Sequence, residues 1–327
     1  MPDGAGRPTG RIAIVGGGTI GVGWAIVFAR AGRPVYLVEP DADRRAAVES
    51  DLAARLARLG ASGLLDDAPG AVVSRVTVVG ELGPALEGAV HVQECAPESL
   101  ELKRTLFREL EAAAPGDAVL ATSSSALTIS EVAHDLATRS RCLVAHPGNP
   151  PYLLPIVELV PAPFTDPAVV TRASNLLASV GMSPVRVRRE IEGFVFNRRQ
   201  GAVLREAYCL VRDGVVSPED VDRVVRDGLG RRWGVVGPFE TAELNTRGGI
   251  EAHAARLGPA YARMGAERGQ DDPWTPELVA RVAADVHRRL PPEQWHANVV
   301  RRDEALIELE RARRGSSSFT SPPAGPE

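Results

Sequence analysis

The sequence is poor in cysteine, which limits the covalent chemistry open to it. Only 3 of its 327 residues are cysteines, and Cys95, Cys142 and Cys209 lie far apart with no Cys-x-x-Cys pair among them. An odd number of scattered cysteines indicates neither a disulfide framework nor a zinc site. We therefore expect three reduced cysteines that serve as packing residues.

Long apolar runs and an excess of positive charge are also missing. No stretch reaches the roughly 18 apolar residues of a membrane span, and residues 1–10 lack the apolar centre of a secretion signal. The formal net charge of −4 creates no broad basic field that would attract nucleic acid or an anionic membrane. We therefore expect a cytoplasmic protein that acts on small molecules.

The chain is long enough to bury a sizeable core. With 327 residues, of which 44% are hydrophobic, its length predicts about two domains. Both ends, residues 1–10 and 315–327, are rich in Gly, Pro and Ser and poor in apolar residues, which is typical of disordered tails. The folded part is therefore expected between residues 11 and 314.

Short apolar runs alternate with helical patterns up to about residue 190. This alternation predicts an α/β domain over residues 11–190, with a doubly wound Rossmann-type sheet of parallel strands and crossover helices. The runs are rich in Val, Leu and Ala, as expected of strands that are buried on both faces. The predicted strands span residues 12–15, 35–39, 76–79, 90–94, 118–122, 142–146, 156–160 and 184–187.

Helical patterns without intervening strands fill the remainder of the chain. They predict a smaller all-helical domain over residues 191–314. The clearest helix has Ser217 as its N-cap and Pro218 at its first helical position, and Gly228 is predicted to end it. Further helical patterns cover residues 206–211 and 303–313.

A glycine-rich turn joins the first predicted strand to an apolar helix. Gly16, Gly18 and Gly21 form the pattern Gly-x-Gly-x-x-Gly, which in this context is typical of a dinucleotide-binding turn. Glu39 ends the second strand, where a carboxylate binds the adenosine ribose and repels a 2′-phosphate, so NAD is expected rather than NADP. The alternatives are a turn that only lets helix and strand pack closely, and a solvated acid at the end of a strand.

A histidine and a glutamate in CLVAHPGNPPYLLPIVELVP form a candidate base and its partner. His146 ends a predicted strand, and strand ends line the ligand crevice of an open α/β sheet. Glu158 stands between apolar neighbours, where a carboxylate is costly to bury unless it is paired. A carboxylate on one ring nitrogen would fix the tautomer and raise the basicity of the other nitrogen. The alternatives are a purely structural histidine and a salt bridge from Glu158 to an arginine.

Two further segments carry polar side chains in suggestive places. The serines of TSSSALTI follow another predicted strand and should point toward the same crevice, while Asn197 in GFVFNRRQ lies among apolar residues. Taken alone, the serines indicate no more than a turn, and the amide no more than a hydrogen bond that positions a helix.

Seven motifs together resemble the L-3-hydroxyacyl-CoA dehydrogenase family. They are GGGTIG, ESLELK, SSSALTI, HPGNPP, VELVP, EGFVFNR and SPEDVD, in that order. The sequence is especially similar to the lambda-crystallin and L-gulonate 3-dehydrogenase branch, through HP-x-NPP, VELVP and GLG-x-R before GP. The resemblance extends from about Arg11 to Arg313. It implies an NAD-dependent oxidoreductase that needs no metal and forms a homodimer.

The resemblance also implies roles in the reaction. His146 corresponds to the catalytic base of the family and Glu158 to its partner. Ser125 lies 21 residues before His146, as the family's active-site serine does, and would bond the reacting oxygen. Asn197 matches the amide that helps to hold the substrate.

Further positions match the cofactor side of the family. Thr19 and Ile20, between Gly18 and Gly21, would present their backbone to the pyrophosphate. Glu98 and Lys103 match positions next to the cofactor, although their spacing alone favours an exposed pair on a helix.

The expected substrate is a small 3-hydroxy acid such as L-gulonate. Arg232 occupies a position that is arginine in the gulonate branch, and a guanidinium suits a carboxylate; a solvated arginine or an interdomain salt bridge is the alternative. Residues 43–65 contain arginines but no lysine, unlike the lysine-rich segment of relatives that use acyl-CoA. The enzyme alternatives are a 3-hydroxyacyl-CoA dehydrogenase and a carnitine 3-dehydrogenase. A dinucleotide-binding structural or sensor protein is the alternative outside catalysis, and lysine-dependent 3-hydroxyacid dehydrogenases do not fit the His/Glu pattern.

Overall fold

The computed structural model describes most of the chain and divides it into two compact units. The described residues are 10–234, 237–246, 249–268, 291–294 and 307–312, with the single residues 277, 297, 300 and 304. The first unit ends at Arg198, and Ile307 near the C-terminal end also belongs to its core. Both predicted tails lie outside the described residues, apart from Gly10.

An eight-stranded sheet forms the centre of the first unit. Its strands are β1 (Arg11–Val15), β2 (Val35–Val38), β3 (Val76–Val79), β4 (Ala89–Glu94), β5 (Val119–Thr122), β6 (Cys142–Pro147), β7 (Ile156–Pro161) and β8 (Ser183–Arg186). They lie in the order β3-β2-β1-β4-β5-β6-β7-β8. The strand order reverses beside β1, as it does in doubly wound dinucleotide-binding folds.

Helices connect the strands and build the second unit. The first unit contains α1 (Thr19–Arg30), α2 (Ala42–Ala61), α3 (Pro69–Val73), α4 (Leu82–Leu86), α5 (Leu100–Ala113), α6 (Ile129–Ala133) and α7 (Pro167–Ser179). These are followed by α8 (Phe196–Arg212), α9 (Pro218–Arg223), α10 (Gly230–Trp233), α11 (Pro238–Asn245) and α12 (Gly249–Arg268). The predicted Rossmann-type sheet and helical second domain are thus confirmed. None of the helices in the described part of the chain is long and apolar enough to cross a membrane.

The central strand β1 is buried on both faces of the sheet. Ile12 and Ile14 belong to one apolar cluster, whereas Ala13 and Val15 belong to the other. This division follows from the alternation of side chains along a strand, because successive residues point to opposite faces. Trp24 of α1 is fully buried in the first cluster and closes the helix onto the sheet.

The expectation of a fully parallel sheet is wrong for one pair of strands. Every neighbouring pair is parallel except β6 and β7, which run antiparallel. The eight residues between these strands are too few for the crossover that a parallel pair needs. In the antiparallel register, His146 lies directly opposite Glu158.

The helix predicted to begin at Ser217 extends further than expected. The Ser217 hydroxyl accepts a hydrogen bond from the Asp220 N–H at 3.1 Å, as expected of an N-cap. The prediction that Gly228 ends the helix is wrong, because α9 continues through a π-helical stretch (Val224–Leu229) into α10. A Cβ atom at Gly230 would lie 2.7 Å from a backbone carbonyl oxygen of the preceding turn, so glycine there allows the wider turn.

A buried histidine should make the first unit sensitive to acid. His91 on β4 has no exposed surface, and burial lowers the pKa of its imidazole to about 4. In the unfolded chain the pKa of a histidine is roughly 6.5. Between these two pKa values the unfolded chain binds more protons than the folded chain, so the free energy of unfolding falls as the pH drops through this range. The loss approaches roughly 3 kcal/mol by pH 4.

The His91→Gln variant tests this assignment, since glutamine can still donate a hydrogen bond to the Gln93 side-chain oxygen that lies 3.0 Å from His91 Nε2. Urea unfolding at a series of pH values should show a flatter decline for this variant than for the wild type. The matched control is His134→Gln, at a half-exposed position. Equal pH slopes for wild type and His91→Gln would contradict the prediction.

Candidate active site

The glycine-rich turn has the geometry that a bound pyrophosphate requires. Gly16 has a φ of +113°, and a Cβ atom there would lie 2.7 Å from the Cys95 carbonyl oxygen. At Gly21 a Cβ atom would lie 1.9 Å from the Gly16 carbonyl oxygen, so glycine allows α1 to pack on the turn. Gly18 faces open space at the start of α1, and no side chain caps the helix there. The backbone N–H groups of the first turn, which begins at Thr19, are therefore available to an anion.

A cavity of about 750 Å³ opens beside this turn and has the size of a cofactor site. Gly16, Gly18 and Glu39 are among the residues that line it. The Glu39 carboxylate is 6% exposed and accepts hydrogen bonds from the N–H groups of Gly17 (3.0 Å) and Asp41 (3.2 Å). Glu39 is therefore a buried carboxylate, oriented by two backbone N–H groups, at the wall of the cavity. This is the position expected of an acid that binds the adenosine ribose of NAD.

His146 and Glu158 meet across the antiparallel strands β6 and β7. Nδ1 of His146 lies 2.9 Å from Oε2 of Glu158, and the two residues are 7% and 2% exposed. A carboxylate can only accept here, so the proton of the neutral imidazole is on Nδ1 and Nε2 carries the free lone pair. Among the residues that the structure describes, no arginine forms the alternative salt bridge with Glu158.

The segment before and into α8 supports Glu158 from its other side. Oε1 of Glu158 accepts hydrogen bonds from the N–H groups of Val195 (2.8 Å) and Phe196 (2.9 Å). Burial alone raises the pKa of the Glu158 carboxyl, but the hydrogen bonds from His146 and these two N–H groups outweigh burial and hold the pKa below its usual value. Phe194 adopts a positive φ of 47° and packs its ring 5.6 Å from the His146 ring. The N–H donors of Val195 and Phe196 could not be predicted from the sequence, because backbone groups leave no signal in residue type.

A second cavity, of about 310 Å³, contains His146 at its wall. The residues that line it include four other predicted site residues, namely Ile20, Glu98, Lys103 and Ser125. Cys95 and Ala96 line both this cavity and the larger one, so the two are neighbours in the first unit.

Glu98 holds the turn that carries Ser125. Its Oε1 accepts hydrogen bonds from the Ser124 hydroxyl (2.5 Å) and from the N–H groups of Ser125 and Ala126 (both 3.1 Å). Burial raises the pKa of Glu98, but these bonds and the nearby Lys103 ammonium hold it below its usual value. Glu98 therefore acts on the turn rather than standing as an exposed helix acid.

Asn197 fixes the same turn from another direction, since its Nδ2 donates to the Ser125 carbonyl oxygen at 3.0 Å. The structure thus joins Asn197 to the site through the backbone of Ser125. The Ser125 side chain remains at the wall of the smaller cavity.

Lys103 is almost completely buried, at 1% exposure, so the exposed helix pair favoured by its spacing with Glu98 is not observed. Its ammonium lies 2.9 Å and 3.0 Å from the two carboxylate oxygens of Glu94 and donates to the Ala96 carbonyl oxygen at 3.1 Å. Glu94, which also accepts a bond from the Thr122 hydroxyl, was missed by the sequence analysis. An acid at the carboxyl end of a predicted buried strand was the signal that could have found it.

All three cysteines are free, as expected. Cys142 and Cys209 are buried packing residues, whereas Cys95 is half-buried and lines both cavities. Burial raises the pKa of the Cys95 and Cys142 thiols to about 12, so both stay protonated at neutral pH.

Arg232 belongs to the second unit, whereas the other predicted site residues belong to the first. It lines a cavity of about 480 Å³ within that unit, together with Trp233, Asn245, His253 and Arg256. Of the two adjacent arginines, Arg231 and Arg232, only the latter is among the described residues that line this cavity. A second guanidinium at the same wall makes the cavity suited to an anionic group.

The two parts of the chain match two adjoining family models. Residues 11–191 match the one described as 3-hydroxyacyl-CoA dehydrogenase, NAD binding domain. Residues 193–285 match the one described as 3-hydroxyacyl-CoA dehydrogenase, C-terminal domain.

Full-length relatives and a solved structure resemble the whole chain. A lambda-crystallin homolog of Bos taurus is 42% identical over 308 residues, which cover 92% of this chain and 94% of that protein. L-carnitine dehydrogenase of Streptomyces griseus subsp. griseus is 36% identical over 311 residues, which cover 92% of this chain and 89% of that protein. The structure of 5-formyl-3-hydroxy-2-methylpyridine 4-carboxylic acid 5-dehydrogenase, an NAD+-dependent dismutase, aligns with a TM-score of 0.81 and 28% identity over 94% of this chain and 99% of that one.

Proposed function

Because this chain belongs to the 3-hydroxyacyl-CoA dehydrogenase family of NAD-dependent oxidoreductases, we propose that it oxidises the 3-hydroxyl of a small free hydroxy acid, such as L-gulonate, with His146 as the base. The observation that carries the proposal is the 2.9 Å contact between Nδ1 of His146 and the Glu158 carboxylate at the wall of the smaller cavity. This contact leaves Nε2 as the free basic nitrogen next to the cofactor cavity.

In the proposed reaction, His146 Nε2 takes the proton of the substrate hydroxyl. Bound NAD+ supplies the acceptor for the hydride that leaves the same carbon. The Glu158 carboxylate stabilises the resulting imidazolium, and the N–H groups of Val195 and Phe196 keep that carboxylate ionised and oriented. The hydroxyl of Ser125 donates to the reacting oxygen, while Glu98 and Asn197 hold the turn that carries it. In the reverse direction His146 returns the proton as a general acid.

Two observations favour a free acid over a CoA thioester. Arg232 occupies a position that is arginine in the gulonate branch, and we assign the substrate carboxylate to its guanidinium. The basic residues of α2 are largely engaged within the first unit: Arg45 donates to the carbonyl oxygens of Glu39 and Pro40, and Arg55 pairs with Asp51. Fewer cations are then left on this helix for the phosphates of CoA.

A substrate panel tests the choice of acid. L-gulonate, carnitine, 3-hydroxybutyrate and 3-hydroxybutyryl-CoA are each offered with NAD+, and NADH formation is followed by absorbance.

Arg232→Met should lower kcat/KM for the free acid by about 10- to 100-fold, since a charge-assisted hydrogen bond is lost. Arg231→Met is the matched control and should change it by less than about twofold. Turnover of the thioester alone, or equal losses in both variants, would refute the assignment.

Removal of the proposed base should separate catalysis from cofactor binding. His146→Ala is expected to lower kcat by about a thousandfold, because general base catalysis of this kind contributes roughly 10²- to 10⁴-fold. The dissociation constant of NADH, measured by fluorescence titration, should stay within about twofold of the wild-type value. His134→Ala, at an exposed position, is the control. A His146→Ala enzyme that keeps a tenth of the activity would show that another group is the base.

The preference for NAD should depend on Glu39. Arg44 is exposed, and its Nε lies 3.5 Å from Oε2 of Glu39, so Glu39→Ala releases a guanidinium next to the ribose site. The variant should bind NAD about tenfold more weakly and NADP more tightly, because the freed Arg44 can pair with a 2′-phosphate. The matched control is Glu49→Ala, which removes an exposed acid from α2, the helix that carries Arg44. An unchanged ratio of the two dissociation constants would show that Glu39 does not select the cofactor.

A further inference from the structure

A cluster of four polar side chains reaches the smaller cavity through two of its members, Cys95 and Ser123. Ser123 Oγ is 3.1 Å from the indole Nε1 of Trp24, 2.7 Å from Nε2 of Gln93 and 3.2 Å from Sγ of Cys95. Trp24 and Gln93 are fully buried, whereas Ser123 is only half-buried and lines the cavity. None of these contacts has a role in the mechanism described above.

The orientation of the Gln93 amide is determined by its surroundings. Nε2 also lies 3.2 Å from the backbone carbonyl oxygen of Ala145, which can only accept a hydrogen bond. The NH2 group must therefore face Ala145 and Ser123, and the amide oxygen accepts from His91 on the other side at 3.0 Å. Gln93 is consequently a donor to Ser123.

Ser123 thus receives hydrogen bonds from two groups that can only donate in this arrangement. The indole N–H of Trp24 and the NH2 of Gln93 occupy both lone pairs of the serine oxygen, so the serine proton has to point elsewhere. The nearest group to the serine hydroxyl is Sγ of Cys95. The thiol proton of Cys95 itself points to the backbone carbonyl oxygen of Gln93, at 3.7 Å. Sulfur is a weak acceptor, so an oxygen acceptor in the cavity would take the serine proton more favourably.

The position of Ser123 in the fold indicates which part of the cofactor its hydroxyl can reach. Ser123 directly follows β5, and Cys95 directly follows β4, so both lie at the carboxyl ends of strands in the second half of the sheet. Dinucleotides cross this edge of such sheets, with one mononucleotide on each half. We propose that Ser123 is a specificity-determining donor whose hydroxyl binds the carboxamide oxygen of the nicotinamide ring, with Trp24 and Gln93 as the residues that direct its proton.

The experiment compares two reduced cofactors by isothermal titration calorimetry, without any hydroxy acid, so that the result is independent of substrate identity. In thionicotinamide-NADH the carboxamide oxygen is replaced by sulfur, which accepts hydrogen bonds weakly. The wild type should bind NADH about 5- to 10-fold more tightly than the thio analogue. In Ser123→Ala the two dissociation constants should become equal within about twofold, chiefly because NADH binding weakens.

The matched control is Cys95→Ala, which removes one heavy atom from the same cavity but keeps the serine hydroxyl. It should preserve the wild-type ratio of the two dissociation constants. Equal weakening of both cofactors by Ser123→Ala would show that Ser123 only maintains the local structure, and would overturn the proposal. Unchanged binding of both cofactors by Ser123→Ala would show that the hydroxyl does not bind the carboxamide oxygen, and would overturn the proposal as well.

Ser123→Ala leaves two buried donors without a partner and could fail to fold. A second variant tests the proposal without removing the serine. Gln93→Leu keeps the serine hydroxyl but frees one of its lone pairs, so the proton is no longer directed to one side. The ratio of the two dissociation constants should then fall to an intermediate value. A wild-type ratio in Gln93→Leu would overturn the role assigned to Gln93.

Discussion

The carboxylate of Glu158 is the interaction on which the geometry of the site depends. One oxygen receives the imidazole N–H of His146, and the other receives two backbone N–H groups at the start of α8. A buried carboxylate is tolerated only when its oxygens are paired in this way, so it ties β6, β7 and the following segment into one arrangement. Loss of one of these partners would leave a buried carboxylate with fewer hydrogen bonds. Phe194, just before the two backbone donors, adopts a positive φ of 47°, which is rare for a bulky residue.

Around this pair, the first unit is organised so that few groups need to move. Glu98 fixes the Ser125 turn through its backbone, and Lys103 with Glu94 fills the space beneath with a buried ion pair. The cavity beside the glycine turn and the smaller cavity are both lined by Cys95 and Ala96, which directly follow β4. Polar groups whose partners are already in place lose little free energy in reorganisation when a ligand binds, which is the condition for electrostatic catalysis.

Sequence reasoning succeeded where the signal was local. The predicted strands agree with those observed to within about two residues, because apolar runs bounded by turns leave few alternatives in a doubly wound sheet. It failed at Gly228, where a π-helical turn and Gly230 let the helix continue, and at Lys103, a lysine at helical spacing that is buried in an ion pair with Glu94 at the end of the preceding strand. The serines of residues 122–129 were expected at the crevice, but the contacts of Ser123 with Trp24 and Gln93 could not be predicted, since they join three segments that lie far apart in the sequence.

The sequence by itself determined the order of strands and helices, the glycine turn and the residue types available for chemistry, because these follow from periodicity, backbone freedom and side-chain acidity. Only the tertiary structure decided the register between the antiparallel strands β6 and β7, and it is this register that sets His146 opposite Glu158. The difference has a simple origin. Strand pairing brings together residues that no periodicity of the sequence links. The acid that lies opposite a given base is therefore determined only by the register in which the two strands pair.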